Sequence, residues 1–496
     1  MRRSLIALSD SNLVQGLLLV GLLCLFPIKQ LRGLSSAADP DIWWHIRVGQ
    51  WIMEHHAFPH QGIFSAVGVT HPWAAYSWGF EVLMATLNRA GLIGISLFVI
   101  AFDVTLVLII FSVTRFFSRS FWWACFLSAV AVWAMDLNRV NVARPVSISI
   151  LLFTLELALI FRAQETRNEK YLYWLPLLFL VWANFHIQFV YGLVLPGLFA
   201  AVISAERWVT VRWSAEGVAD ETQALRPALL WAIFAACVAA TLVNPYTVGL
   251  YRIVFNYMRS TFAYSVILEF QAPSFRHVPH FIQLLLLAAA FFAMGRRKLD
   301  PYKIALLTVT SLVAFRSVRD AWFVCITAAA IIAYSVRPTN EEETGEVAFG
   351  AKARHLGPVL AGALFVIALS AADNGLSNRA LFQVVHDSYP VEAVKFIQEH
   401  HFPGPLYNNF NWGGFLIGTL PDYPVSIDGR TDLYGDAYFR QEVETLMGRR
   451  SDDQVLDRAN LVLLPSSVPL CGILQSSSQF RLVYTDNMAK VFVRNP

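Results

Sequence analysis

Long blocks of uncharged, apolar residues recur along this chain, and they constrain its fold more than any other feature. Each block approaches the length needed to cross the hydrocarbon layer of a bilayer, where only a helix or a closed barrel satisfies its own backbone. About eleven such blocks stand out, near 12–28, 91–114, 120–137, 145–162, 171–186, 189–205, 228–244, 279–295, 302–316, 319–336 and 356–372. The expected fold is therefore an all-α polytopic membrane protein of about 11 transmembrane helices. Of its 496 residues, 56% are hydrophobic and 15% charged, below the quarter usual for a soluble domain. Trp73, Trp78, Trp122, Trp174, Trp208 and Trp322 sit near block ends, where amphipathic rings suit the headgroup boundary.

A net charge of +3, with basic residues in short clusters between blocks, gives no basic stripe and points away from nucleic acid. Cys24, Cys125, Cys237, Cys325 and Cys471 stand singly and form neither a metal knuckle nor a disulfide framework. The first block, after Met-Arg-Arg, reads as a retained span rather than a cleaved leader. Placing the N-terminus in the cytoplasm puts Arg2, Arg3, Arg115, Arg162, Arg167, Lys170, Arg207, Arg296, Arg297 and Arg337 inside, in keeping with the positive-inside rule. An odd span count then leaves the C-terminus extracytoplasmic. The chain divides into a membrane domain, 1–372, with long outer loops at 29–90 and 245–278, and an outer domain, 373–496. The latter mixes charge, Gly and Pro with short apolar runs. Val391 to Ile397 reads as an amphipathic helix, and Pro424–Ile427, Leu461–Leu464 and Lys490–Val493 read as strands of a small α/β domain. The segment 339–350, with its run of glutamates, reads as a solvated inner loop.

The first outer loop contains Asp39-Pro-Asp-Ile-Trp-Trp-His-Ile-Arg47. From Asp41 a helical period places Trp44, Val48, Trp51 and Ile52 on one face, as in an amphipathic helix lying along the outer surface. Asp39 suits the N-cap and Pro40 the first helical position. With the cap already filled, Asp41 is a candidate functional acid, although an acid in the first turn also gains from the helix dipole. Asp41 and His45, four residues apart, share a side.

This stretch resembles the outer loop of GT-C membrane glycosyltransferases, in particular the catalytic subunit of oligosaccharyltransferases. That pattern runs Asp, two aromatics, a polar residue, any residue and Arg, matched here by Asp41, Trp43, Trp44, His45 and Arg47. The resemblance implies that Asp41 holds a divalent metal near a lipid phosphate and contacts the acceptor. In the second loop, Val266-Ile-Leu-Glu269 resembles the family's apolar–x–Glu motif and implies that Glu269 positions the acceptor or completes a metal shell with Asp41. Oxygen ligands of this kind suit Mg or Mn; a metal-independent route with Asp41 as base stands beside it. The family's second acidic pair is missing from Asn138 to Ser147, where Asp136 is the nearest acid and Arg139 and Arg144 stand instead. Arg47, Arg144, Arg319 and His45 are candidates for binding donor phosphate. Arg319 pairs as readily with Asp320 beside it. Tyr407 to Ile417, followed by Pro424 to Arg430, resembles in layout the family's Trp-Trp-Asp-Tyr-Gly acceptor grip without its core. It yields Trp412, Gly414 and Asp428 as candidate acceptor-binding residues, while its glycines equally permit a tight turn.

The resemblance implies an inverting glycosyltransferase of the inner (plasma) membrane. Such an enzyme takes sugar from a polyprenyl (di)phosphate donor to a glycan or protein acceptor on the extracytoplasmic face. En bloc glycan transfer to protein, a lipid-linked glycan transporter and a non-catalytic scaffold remain alternatives. Asp103 and Glu156, inside apolar blocks, need partners within the bundle.

Overall fold

The computed structural model describes residues 11–34, 38–135, 142–213, 225–259, 261–297, 299–338, 353–449 and 452–496. Asp136, Arg139 and the segment 339–350 lie outside the described residues. Every block expected to span the membrane is helical: Asn12–Gly33, Leu92–Ser118, Phe121–Ala134, Val146–Thr166, Leu175–Phe185, Phe189–Trp213, Pro227–Thr241, Val278–Gly295, Pro301–Arg316, Trp322–Val336 and Ala353–Asp373. By length and composition 7 of the described helices are long and apolar enough to cross a membrane, and Phe121–Ala134 and Pro227–Thr241 are shorter apolar helices. Phe121–Ala134, with 14 residues, reaches only about 21 Å at 1.5 Å per residue, short of a hydrocarbon layer of about 30 Å. The protein is nonetheless an all-α polytopic membrane protein with a small C-terminal α/β region.

Local chemistry sets several helix starts. Ser120 accepts from the Trp123 N–H, Asp300 accepts from the Lys303 N–H, and Pro227 and Pro301 occupy first-turn positions where no intrahelical donor is needed. The five cysteines are free thiols.

The chain forms two compact units. The first comprises 1–33, 98–244 and 269–376. At its centre is Trp322–Val336, whose residues Trp322 to Ala333 are buried among Val278–Gly295, Pro301–Arg316, Phe121–Ala134 and Val146–Thr166. Asp103 and Glu156 are fully buried in this bundle.

The second unit joins 34–97 and 245–268 to 377–496, so the outer loops fold together with the C-terminal region. Its sheet has the order β1–β2–β4–β3, with β1 Leu406–Asn408, β2 Leu461–Pro465, β3 Phe480–Thr485 and β4 Ala489–Arg494. β1 runs parallel to β2, and the other pairs are antiparallel. Val462, Leu464, Phe492 and Tyr407 form its packed face with Leu470 and Leu474. The expected helix at Val391 is present as Val391–His400. Pro424–Ile427, expected as a strand, belongs to no sheet. Val425 makes a single bridge to Ser65 of the first outer loop, exchanging backbone bonds of 3.0 Å with Phe64 and Ala66.

The helix Pro40–His55 lies between Trp78–Leu87 and Phe410–Thr419. Glycines permit this: a Cβ on Gly49 would fall 2.0 Å from the Glu81 carbonyl oxygen, and one on Gly414 would fall 2.4 Å from that of Pro40. Trp44, Val48 and Ile52 are thus buried against protein, which corrects the expectation of a helix lying along the outer surface.

A buried ion pair pins this unit. Arg430 donates from Nε to Asp428 Oδ1 at 2.8 Å, and from one terminal nitrogen to Asp428 Oδ2 at 2.7 Å and the Ile63 carbonyl at 2.9 Å. Tyr434 adds an O–H bond of 2.7 Å to Asp428. Both charged side chains are wholly shielded from solvent. Removing one member leaves the other buried and uncompensated. Arg430→Ala should therefore lower stability by about 3–5 kcal/mol, read as a reduced denaturant midpoint of the purified protein; an unchanged midpoint would show the pair to be dispensable.

Candidate active site

The helix start that carries Asp41 follows the sequence expectation. Asp39 accepts from the Asp41 N–H at 2.8 Å, and Pro40 opens the first turn. This fixes the backbone of Asp41 while leaving its half-buried carboxylate to other partners. Asp41 Oδ1 accepts from the indole N–H of Trp44 at 3.3 Å. Against it lies the turn Asp428–Gly429–Arg430, where a Cβ on Gly429 would sit 2.1 Å from Asp41 Oδ1. Only glycine lets this turn approach the carboxylate.

The candidate acceptor residues assemble around the same place, in supporting positions. A Cβ on Gly413 would meet the Ile427 carbonyl at 2.1 Å, so Trp412, Gly413 and Gly414 pack tightly beneath both the turn and the Pro40 helix. Trp412 is buried, Gly414 makes a backbone contact, and Asp428 is committed to Arg430. These residues, expected to bind an acceptor, form the floor beneath Asp41 with their side chains buried.

His45 also turns inward. Its Nδ1 lies 3.6 Å from Glu81 Oε1, and its ring meets Trp44 and the edge of Phe80. His45, expected at a donor phosphate, is thus packed within this core. Arg47 is half-exposed, bonds Gln50 at 3.3 Å and Glu54 at 3.4 Å, and lies over the Phe64 ring.

Two acids not singled out from the sequence belong to this cluster. Asp432 accepts from the Trp73 indole at 3.1 Å and from the Tyr257 hydroxyl at 3.3 Å, and Tyr257 meets Tyr76 at 3.1 Å. Trp44 and Trp73 meet edge-on with centroids 6.4 Å apart, so the two indoles link the carboxylate of Asp41 to that of Asp432. Burial raises Asp432 to about 6 against the opposing pull of Arg430. Glu81 is raised to about 8, chiefly by burial; Arg430 opposes the shift and Asp432 adds to it. A lone Glu in the otherwise apolar Trp78–Leu87 was the available signal for Glu81. For Asp432 the sequence offers none, since its partners lie in distant segments.

A separate cluster in the first unit gathers Glu269, Arg144 and Arg319. One terminal nitrogen of Arg144 reaches the two Glu269 oxygens at 2.9 and 2.7 Å, and Arg319 approaches at 3.7 Å. Ser317 donates to the Glu269 carbonyl at 3.1 Å, Val318 donates to that of Gln271 at 2.9 Å, and the Arg319 guanidinium lies over Phe270. These bonds fasten the loop end to the start of the Trp322 helix. Asp320 accepts from Gln188 at 2.7 Å. With all three ionised, two guanidinium groups and one carboxylate leave one positive charge at a partly exposed position.

The two expected catalytic acids therefore lie in different units, Asp41 in the second and Glu269 in the first. Among the described residues no group of three or more His, Cys, Asp or Glu gathers as a metal site. Glu269 already faces two cations, a poor setting for a further Mg or Mn ion.

The folded chain holds the Glu81 proton up to about pH 8, whereas an ordinary glutamate releases it near 4.5. Stability should therefore fall as pH rises through that window. Glu81→Gln removes this dependence. Its melting temperature should shift in the variant's favour, relative to the natural protein, between about pH 5 and about pH 8. A constant difference across that range would contradict the assignment.

No protein-family model matches the chain, and no curated protein matches it. Among solved structures, the chain is similar to the crystal structure of the Archaeoglobus fulgidus oligosaccharyltransferase tethered to an acceptor peptide containing the NVT sequon. Sequence identity is 8% and the TM-score 0.51, over 97% of this chain and 74% of that one. At this identity the likeness is one of fold, and the fold expected from the outer-loop resemblance, that of oligosaccharyltransferases and GT-C proteins, is present.

Proposed function

We propose that this protein is an inverting membrane glycosyltransferase. It would move a sugar from a polyprenyl phosphate- or diphosphate-linked donor to an acceptor hydroxyl at the extracytoplasmic face of the inner membrane. The observation that carries this reading is the fixed, half-buried Asp41 carboxylate, backed by Trp44 and bounded by Gly429, in a fold of oligosaccharyltransferase type.

In this reading Asp41 takes the proton of the acceptor hydroxyl as its oxygen attacks the anomeric carbon. The bond from that carbon to the phosphate oxygen breaks, and the polyprenyl (di)phosphate leaves with the electron pair. In the first unit, Arg144 and Arg319, paired with Glu269, form a separate cationic cluster suited to binding a phosphate. No step is assigned to a metal in this reading. The positive-inside bias supports a cytoplasmic N-terminus and an extracytoplasmic C-terminal region.

With the purified protein in vesicles, Asp41→Asn should lose about a hundredfold or more in transfer rate while its thermal unfolding is unchanged. Full activity in that variant would remove Asp41 from the chemistry. Gly429→Ala should approach the same loss, because its methyl group displaces the carboxylate. Arg144→Ala should instead raise the donor KM, about tenfold for one lost charge-assisted contact; an unaltered donor KM would take Arg144 out of the phosphate site.

A further inference from the structure

The helix that presents an apolar face outward is in the second outer segment, not the first. Gly249–Arg259 turns Leu250 into the second unit and ties Tyr257 to Asp432. Its opposite side and the residue before it expose Val248 at 67%, Phe255 at 53% and Met258 at 59%. Arg252 and Arg259 are exposed on the same side. At 100° per residue, positions 248, 252, 255 and 259 form one stripe, flanked by 258. The Arg259 guanidinium lies over the Phe255 ring, its centre 4.1 Å from the centroid.

Water does not account for a stripe that mixes large apolar side chains with arginines. The boundary of a bilayer accepts both: apolar groups enter the acyl layer, and guanidinium groups reach the lipid phosphates. Charge complementarity specifies the lipid. The segment 245–268 holds Arg252 and Arg259 and no Asp or Glu, so it favours an anionic surface. Only the residues from Leu242 to Val248 separate this helix from the end of the apolar helix Pro227–Thr241, a tether of at most about 25 Å.

We propose that the outward face of Gly249–Arg259 lies in the headgroup layer of the membrane and binds anionic phospholipid through Arg252 and Arg259. The apolar anchors are Val248, Phe255 and Met258. This inference does not depend on the glycosyltransferase reading.

The test uses the full chain in vesicles of phosphatidylcholine, with and without phosphatidylglycerol. A nitroxide is attached at Met258→Cys in a Cys125→Ser background, since Cys125 is half-exposed and the other four thiols are buried. Asp422→Cys, at an exposed turn, reports bulk water. Collisions of the Met258 label with oxygen should exceed those with a water-soluble nickel complex severalfold. That ratio should rise with phosphatidylglycerol and lose the rise in Arg252→Ser/Arg259→Ser. A label at Phe255→Cys should behave alike. Nickel access equal to that at Asp422 would overturn the membrane placement. A lipid-dependent ratio untouched by the arginine replacements would overturn the headgroup assignment.

Discussion

One guanidinium shielded from water organises the unit that carries Asp41. Arg430 holds Asp428 with two hydrogen bonds, caps the Ile63 carbonyl and lies over the Trp73 ring. Asp428, Glu81 and Asp432 all feel its charge, and the outcome differs among them. Asp428, in direct contact and also bonded by Tyr434, is held below the usual carboxylate range despite its burial. Asp432 and Glu81 are both raised, Asp432 less because Trp73 and Tyr257 donate to it. A single buried cation thus sorts three acids into one ion-pair partner and two groups that hold their protons more firmly. Asp41 inherits its position from that arrangement, because the turn that touches it is the residue between the two members of the pair.

What the sequence made legible was local. The cap at Asp39 with Pro40 behind it is a pattern of adjacent residues, and the structure has it. The helix at Val391 and the strands at Leu461 and Lys490 follow from periodicity and are present. Two of the misreadings involve distant segments. Pro424–Ile427 has strand composition, yet its edge is taken by one bridge to Ser65, far away in sequence. The apolar stripe of Pro40–His55 predicted a surface helix because the two helices that cover it are recruited through Gly49 and Gly414, whose lack of side chains carries no periodic signal. Asp428 looked like an acceptor contact, and its partner stands two residues away, but only the burial of both turns that neighbour into a structural clamp.

The same logic separates the acids of the second unit by what they are bonded to. Asp436 spends one oxygen on the backbone N–H groups of Thr261 and Phe262, at 2.6 and 2.9 Å, and Phe262 packs on Phe439 with Arg440 over its ring. Asp432, before the kink at Gly435 in Thr431–Leu446, holds Tyr257. The two acids, one on each side of the break at Gly435, therefore both fasten the second outer segment. These carboxylates act as staples between segments, which is why a count of loop acids says little about chemistry here.

The two clusters differ in a way that suits different tasks. The indole N–H groups of Trp44 and Trp73, which donate to Asp41 and Asp432 respectively, are neutral donors that orient a carboxylate. Around Glu269 the donors are guanidinium groups, which match a phosphate in charge and geometry and retain one positive charge after pairing. A base must keep its affinity for a proton, whereas a leaving-group site must keep its affinity for an anion. Aromatic donors serve the first requirement and paired arginines the second.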